Sequence, residues 1–134
     1  MHPHDPSFAV TSLSVSNFTV SDSQITCMCK VKLTVTNPNN KIQLILDDFN
    51  MVILYSEVVL SMAEVQPPIL LVKMSNKSVN VDLVMKNSEK LVQENLVKEW
   101  NKGVVNFDVK MVVRVRFEAG IWLSKKKILC VYLL

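Results

Sequence analysis

The stretch Val104-Val105-Asn106-Phe107-Asp108-Val109-Lys110-Met111-Val112-Val113-Arg114-Val115-Arg116-Phe117-Glu118 decides the fold class. Every odd-numbered residue from Val105 to Phe117 is apolar, and of the residues between them only Val112 is not polar or charged. Successive side chains of a strand point to opposite faces, so this alternation predicts one long strand with its odd face on a core. It also predicts that Lys110, Arg114 and Arg116 are exposed on the other face.

Working outward, Cys27 to Thr36 repeats the pattern, with Cys27, Cys29, Val31, Leu33 and Val35 on one side. Ser78 to Lys86 does so through Val79, Val81, Leu83 and Met85, and a shorter run does so through Ile42, Leu44 and Leu46. Phe8 to Val20 is rich in strand formers, but its apolar phase slips between Val10 and Leu13 and again between Val15 and Phe18. Phase slips of this kind mark bulges or bends. Met51 to Leu60 and Ile69 to Met74 are apolar on both faces and read as covered strands, with Pro67-Pro68 breaking the chain between them.

Residues 88–102 differ. Val92, Leu96 and Trp100 lie four apart with Val97 beside them, between a capping Ser88 and the stop Gly103. This is one amphipathic helix. Asn37-Pro38-Asn39-Asn40 is a turn, and Ala119-Gly120 closes a two-residue hairpin into the terminal segment 121–134. Seven or more strands with one helix make a mainly β chain: a two-sheet antiparallel β-sandwich of the fibronectin type III or immunoglobulin-like kind. Residues 1–6 read as a loose terminus and 7–134 as a single domain.

Composition narrows the chemistry. The chain has 134 residues, 49% of them hydrophobic, enough to fill one core. Its net charge of +3 is too weak to imply a nucleic-acid partner. Only two glycines occur, which excludes glycine-rich phosphate loops. The two histidines, His2 and His4, sit in the first four residues, where no general base is held in place. No catalytic, cofactor or metal site is therefore expected. Asp47-Asp48-Phe49-Asn50 reads as a solvated turn between strands rather than a calcium loop, since it lacks a glycine and a downstream bidentate glutamate. Cys27 and Cys29 share an apolar strand face. They read as buried thiols, or one of them as the disulfide partner of Cys130. Asn17-Phe18-Thr19 and Asn76-Lys77-Ser78 are N-glycosylation sequons, used only if the domain meets the secretory pathway.

The assumed hairpin at Ala119-Gly120 sets Arg116 opposite Leu123 and Arg114 opposite Lys125. Lys110 and Lys127 are then nearby and a bulge lies between Ser124 and Ile128. Lys110, Arg114, Arg116, Lys125 and Lys127 would make a basic face, either protecting an edge strand or meeting acidic lipid or a carboxylate cell-wall polymer.

With these elements in order, the chain resembles the folded late-embryogenesis-abundant domain, also called the water-stress and hypersensitive-response domain. It is most similar to the version in plant harpin-induced and non-race-specific disease-resistance-like membrane proteins. The matching residues are Pro6-Ser7-Phe8-Ala9-Val10, the strand Leu33-Thr34-Val35-Thr36 ending in Asn37-Pro38-Asn39, and Val52-Ile53-Leu54-Tyr55. Gly103, Val113-Arg114-Val115-Arg116, Gly120 and the basic stretch before Cys130 follow in the same order. Leu46-Asp47-Asp48 and Gln66-Pro67-Pro68-Ile69 depart from the pattern, which commonly has Tyr-Asp and Pro-Phe-x-Gln.

The resemblance implies a non-catalytic plant defence or stress domain without a cofactor. It implies an extracellular, apoplastic position at the plasma membrane and a membrane span upstream in the full-length protein; this chain contains no apolar run long enough to be one. The competing expectations are a soluble, cytoplasmic stress-protective domain that shields other proteins, and a carrier of hydrophobic ligands.

Overall fold

The computed structural model describes residues 3–21, 24–103, 105–119 and 124–133, with side chains described for all of these except 91, 124–126 and 130–133. The elements in chain order are β1 (Ser7–Ser21), β2 (Gln24–Thr36), β3 (Gln43–Tyr55), β4 (Val58–Val65), β5 (Ile69–Leu71), β6 (Asn76–Asn87), α1 (Lys90–Lys102), β7 (Asp108–Glu118) and β8 (Ser124–Leu133). They form a two-sheet antiparallel β-sandwich. One sheet has the order β1-β2-β6; the other has the order β4-β3-β7-β8, with β5 also paired to β3.

The alternating segments behave as their period requires. In β7, Val109, Met111, Val113, Val115 and Phe117 are buried, while Val105 and Phe107 ahead of the strand are partly covered. Across the sandwich, Cys27, Cys29, Val31, Leu33 and Val35 of β2 and Val81, Leu83 and Met85 of β6 turn inward to meet them. The phase slips in β1 are register shifts against β2, between Val10 and Ser12 and between Ser16 and Thr19. One extra residue at each point restores the apolar side chains to the core face.

Several expectations are corrected. Residues 43–55 form one strand, so Asp47-Asp48-Phe49-Asn50 is no turn between strands. It is an irregularity inside β3, where the pairing to β7 shifts between Asp47 and Asn50 and Asp48 takes φ 44°. Its partners lie on β7, far away in sequence. The helix begins after Glu89 rather than at Ser88, and Glu89 makes no side-chain cap bond. Gly103 ends it in the left-handed region (φ 82°), with its N–H donating to Trp100 O at 3.0 Å. The strand expected at Ile69 to Met74 is confined to β5: the Asn37 amide donates to the carbonyls of Leu71 and Val72, and Met74 takes φ 51°.

The helix closes the open end of the sandwich with Val92 and Leu96. Trp100 stacks on Phe18 of β1, ring centroids 4.5 Å apart and 7° from parallel. Tyr55, at the end of β3, packs against Phe107 and donates its hydroxyl hydrogen to Glu99 of α1.

Burial of acidic groups gives the fold an alkaline limit. Desolvation, with a smaller contribution from Cys27, pushes the Cys29 thiol from 9.0 up to about 11. Desolvation, then the hydrogen bond and charge of Glu99, raises the Tyr55 hydroxyl from 10.0 to about 12. Both groups are held neutral in the fold and lose protons more easily once unfolded. The stability these two groups contribute is therefore complete below pH 9 and is lost as pH rises, through 9 to 11 for Cys29 and 10 to 12 for Tyr55. Denaturant midpoints measured against pH check this; Cys29→Ala is expected to reduce the loss in the lower window, leaving the share of Cys27, and to leave the upper one unchanged.

Candidate functional site

The basic hairpin face is the surface that the sequence singles out, and its geometry differs from the expectation. β7 ends at Glu118 and β8 begins at Ser124, so the connection is longer than Ala119-Gly120. Arg116 pairs with Lys126 and Arg114 with Ile128, three positions further along β8 than a two-residue turn requires. The ladder runs from Ser124 to Leu133 without the bulge expected between Ser124 and Ile128. An odd displacement exchanges the faces of a strand. Lys125 and Lys127 therefore occupy the rows of Phe117 and Val115, not the row of the arginines.

The four cations whose side chains are described do not gather into one patch. Arg114 and Arg116 are half-buried rather than exposed, and each is paired. Arg114 donates from Nε to Asp47 Oδ1 at 2.8 Å and from Nη2 to Asp47 Oδ2 at 3.0 Å. Its Nη2 also lies 3.2 Å from Asp48 Oδ2. Arg116 lies 3.5 Å from Asp47 Oδ2 and 3.7 Å from Glu118 Oε1. The hydrogen bonds that Arg114 donates to Asp47, then the charges of Asp47 and Asp48, hold the Arg114 guanidinium above its ordinary value. Lys110 is half-buried on the outer face opposite Val52. Lys127 reaches Asp5 at 3.1 Å, across the edge of the sandwich. The side chain of Lys125 lies outside the described residues. Sequence reading missed the neutralisation because Asp47 and Arg114 are 67 residues apart and meet only through the β3–β7 register.

The other polar cluster lies at the end of the sandwich where the chain starts. Asn37 is fully buried and Asn39 nearly so. The Asn37 side-chain amide donates to the carbonyls of Ile42 (2.9 Å), Leu71 (3.1 Å) and Val72 (3.1 Å). Its Oδ1 accepts from the backbone N and Nδ2 of Asn39, both at 2.9 Å. Asn39 in turn holds the chain start: His4 N donates to Asn39 Oδ1 and Asn39 Nδ2 donates to His4 O, each at 2.8 Å. Backbone bonds from Asn37 N to Ser75 O and from Met74 N to Asn39 O complete the hub. Residues 3–6, expected as a loose terminus, are therefore tied down, and Pro6 is buried. The sequence marks Asn37-Pro38-Asn39-Asn40 as a turn; that two of its amides cross-link three segments is visible only in the fold.

Cys27 and Cys29 are free, buried thiols; the side chain of Cys130, the disulfide partner the sequence offers them, lies outside the described residues. Burial raises the thiol pKa of both, which keeps them protonated and inert at neutral pH. Both sequon asparagines are exposed: Asn17 at the second irregularity of β1 with φ 53°, and Asn76 at the start of β6. Between the sheets, the space bounded by Ile25, Cys27, Leu60, Met85 and Leu96 is about 10 Å³, far below the roughly 300 Å³ at which ligand pockets begin. No helix among the described residues is long and apolar enough to cross a membrane.

No family model matches the chain, and no curated protein matches it in sequence. Among solved structures it is similar to the crystal structure of a protein from Archaeoglobus fulgidus, at 14% identity over 92% of this chain and 94% of that one, with a TM-score of 0.42.

Proposed function

We propose that the chain is a non-catalytic interaction domain of a plant defence or stress protein, presented on the outer, apoplastic side of the plasma membrane. The observation that carries this reading is the Asn37–Asn39 hub. Asn37 and Asn39, part of the Asn-Pro-Asn run that the resemblance quotes, hold the chain start and two loops together. Their polar groups are spent on backbone partners and on each other, an architectural use rather than a chemical one. The exposed Asn17 and Asn76 fit the same reading, since an acceptor must be accessible to be glycosylated.

The test is expression of the full-length coding sequence in plant cells, followed by glycosidase treatment and mass analysis. Asn76 is expected to carry a glycan, because it begins a strand beside an exposed loop. Asn76→Gln should remove the corresponding mass. A protein with both asparagines bare and resident in the cytoplasm overturns this reading in favour of a soluble stress-protective domain.

A further inference from the structure

Among the described residues the sheet edges are β1 and β6 on one sheet, and β8, β4 and β5 on the other; β5 is only three residues long, which itself protects it. Three more of them carry the usual charged protection against pairing with another chain. β8 holds Lys125, Lys126 and Lys127; β4 holds Glu64; β6 holds Lys77, Asp82 and Lys86 and lies against β4, where Ser61 Oγ donates to Val84 O at 2.8 Å. β1 is different. All 15 of its residues are uncharged, none is proline or glycine, and β2 is the only strand it pairs with among the described residues. Its two irregularities bracket a regular segment, Ser12-Leu13-Ser14-Val15-Ser16.

That segment is chemically palindromic about Ser14. Ser12, Ser14 and Ser16 are exposed on the outer face, in the rows of Lys32, Lys30 and Met28. Leu13 and Val15 share the core face, in the rows of Val31 and Cys29, but the second sheet does not cover them fully. Leu13 remains 36% exposed. Together with Trp100, Val105 and Phe107 these two line an open groove of about 260 Å³ beside the unpaired edge.

We infer that this edge is a self-association site, whose occupant is the same segment of a second copy. Antiparallel pairing about a two-fold axis through Ser14 sets Ser12 against Ser16 of the other copy, Ser14 against Ser14, and Leu13 against Val15. Every pair matches in character: hydroxyls meet hydroxyls outside, and apolar side chains meet apolar side chains over the groove. No charge opposes a like charge anywhere along the ladder. The two three-stranded sheets join into one of six strands, β6-β2-β1 and its symmetry mate. A ladder of this length falls short of the ~1,000 Å² that a tight interface buries, so association is weak and concentration-dependent. This inference goes beyond the proposed function and does not depend on it.

Sedimentation equilibrium of the chain made in bacteria, hence without glycans, tests it. The parent protein is expected to dimerise in the hundreds-of-micromolar range. Ser14→Lys alone places two lysines across the axis, and Ser14→Glu alone places two glutamates; each should weaken the dimer about tenfold. Ser14 is exposed, so neither change disturbs the core. An equimolar mixture of the two variants should recover the association as a heterodimer, a result that only pairing at this axis produces. A protein that stays monomeric at every concentration overturns the inference, and that outcome leaves a partner peptide as the remaining candidate for the edge. A dimer unaffected by either substitution, or a mixture no tighter than its components, overturns it as well.

Discussion

Asn37→Ala is expected to cost about 3–5 kcal/mol of stability, a large fraction of the ~5–15 kcal/mol that holds a domain of ordinary stability together. The physical account starts from the three carbonyls that the Asn37 amide satisfies, those of Ile42, Leu71 and Val72. Leaving a buried acceptor without its donor costs ~1–3 kcal/mol, and an alanine side chain cannot reach any of them; the Val72 carbonyl keeps the Ser75 hydroxyl at 2.6 Å, so the loss falls on Ile42 and Leu71. The Asn39 amide also loses its partner in Asn37 Oδ1. Water entering at this end recovers part of the loss, which keeps the estimate below the sum. Asn37→Asp is an informative comparison. It keeps the acceptor for Asn39 but replaces the donor with a carboxylate facing three carbonyl oxygens, so it should be at least as damaging. Chemical denaturation of the two variants checks both. A change below ~1 kcal/mol in Asn37→Ala would mean that the hub is incidental to the fold. Asn39→Ala should cost less, because Asn39 bonds to the chain start rather than to several strand ends, and it should free residues 3–6 to exchange amide hydrogens quickly.

What the sequence reveals here is what depends on local period. β7 and β2 are legible because each of their faces keeps one character over many residues. The two slips in β1 are legible for the same reason, since a change of phase is itself a local signal. Residues whose role depends on distant partners are not legible in this way. Asp47 and Asp48 look like a solvated turn because charged pairs usually interrupt strands; here Arg114 and Arg116 of β7 stand beside them and let β3 continue. Asn37 looks like a turn residue because Asn-Pro usually is one; its burial depends on carbonyls up to 35 residues away. The β7–β8 register fails for a third reason. A pair such as Ala119-Gly120 permits a tight turn without requiring it, and a displacement of three positions exchanges the faces of β8. Of the basic face assembled on that register, Arg114 and Arg116 share Asp47, and Lys127 pairs with Asp5.

The same ion pairs predict how that face is restored. Asp47→Asn with Asp48→Asn is expected to raise affinity for anionic lipid vesicles about thirtyfold at low ionic strength. Each variant side chain keeps its shape and can still accept a hydrogen bond from Arg114, so the strand irregularity at Asp47 to Asn50 is preserved. What changes is charge. Two negative groups disappear from positions 2.8 and 3.2 Å from the Arg114 guanidinium, leaving Arg114 and Arg116 with Glu118 as the remaining carboxylate close by. A unit of positive charge near an anionic surface contributes ~1 kcal/mol, so two units give the expected factor. The gain should vanish at high salt, where the screening length drops to ~3 Å. Stability is expected to fall modestly, because the charge-assisted bond to Asp47 becomes a neutral one. Vesicle co-sedimentation of the parent and the double variant, at low and high salt, measures the difference. Equal binding by the two proteins would show that Asp47 and Asp48 do not govern the potential of this face. A gain that salt leaves untouched would place the new contact on apolar side chains such as Ile128, which stands opposite Arg114 and is 71% exposed.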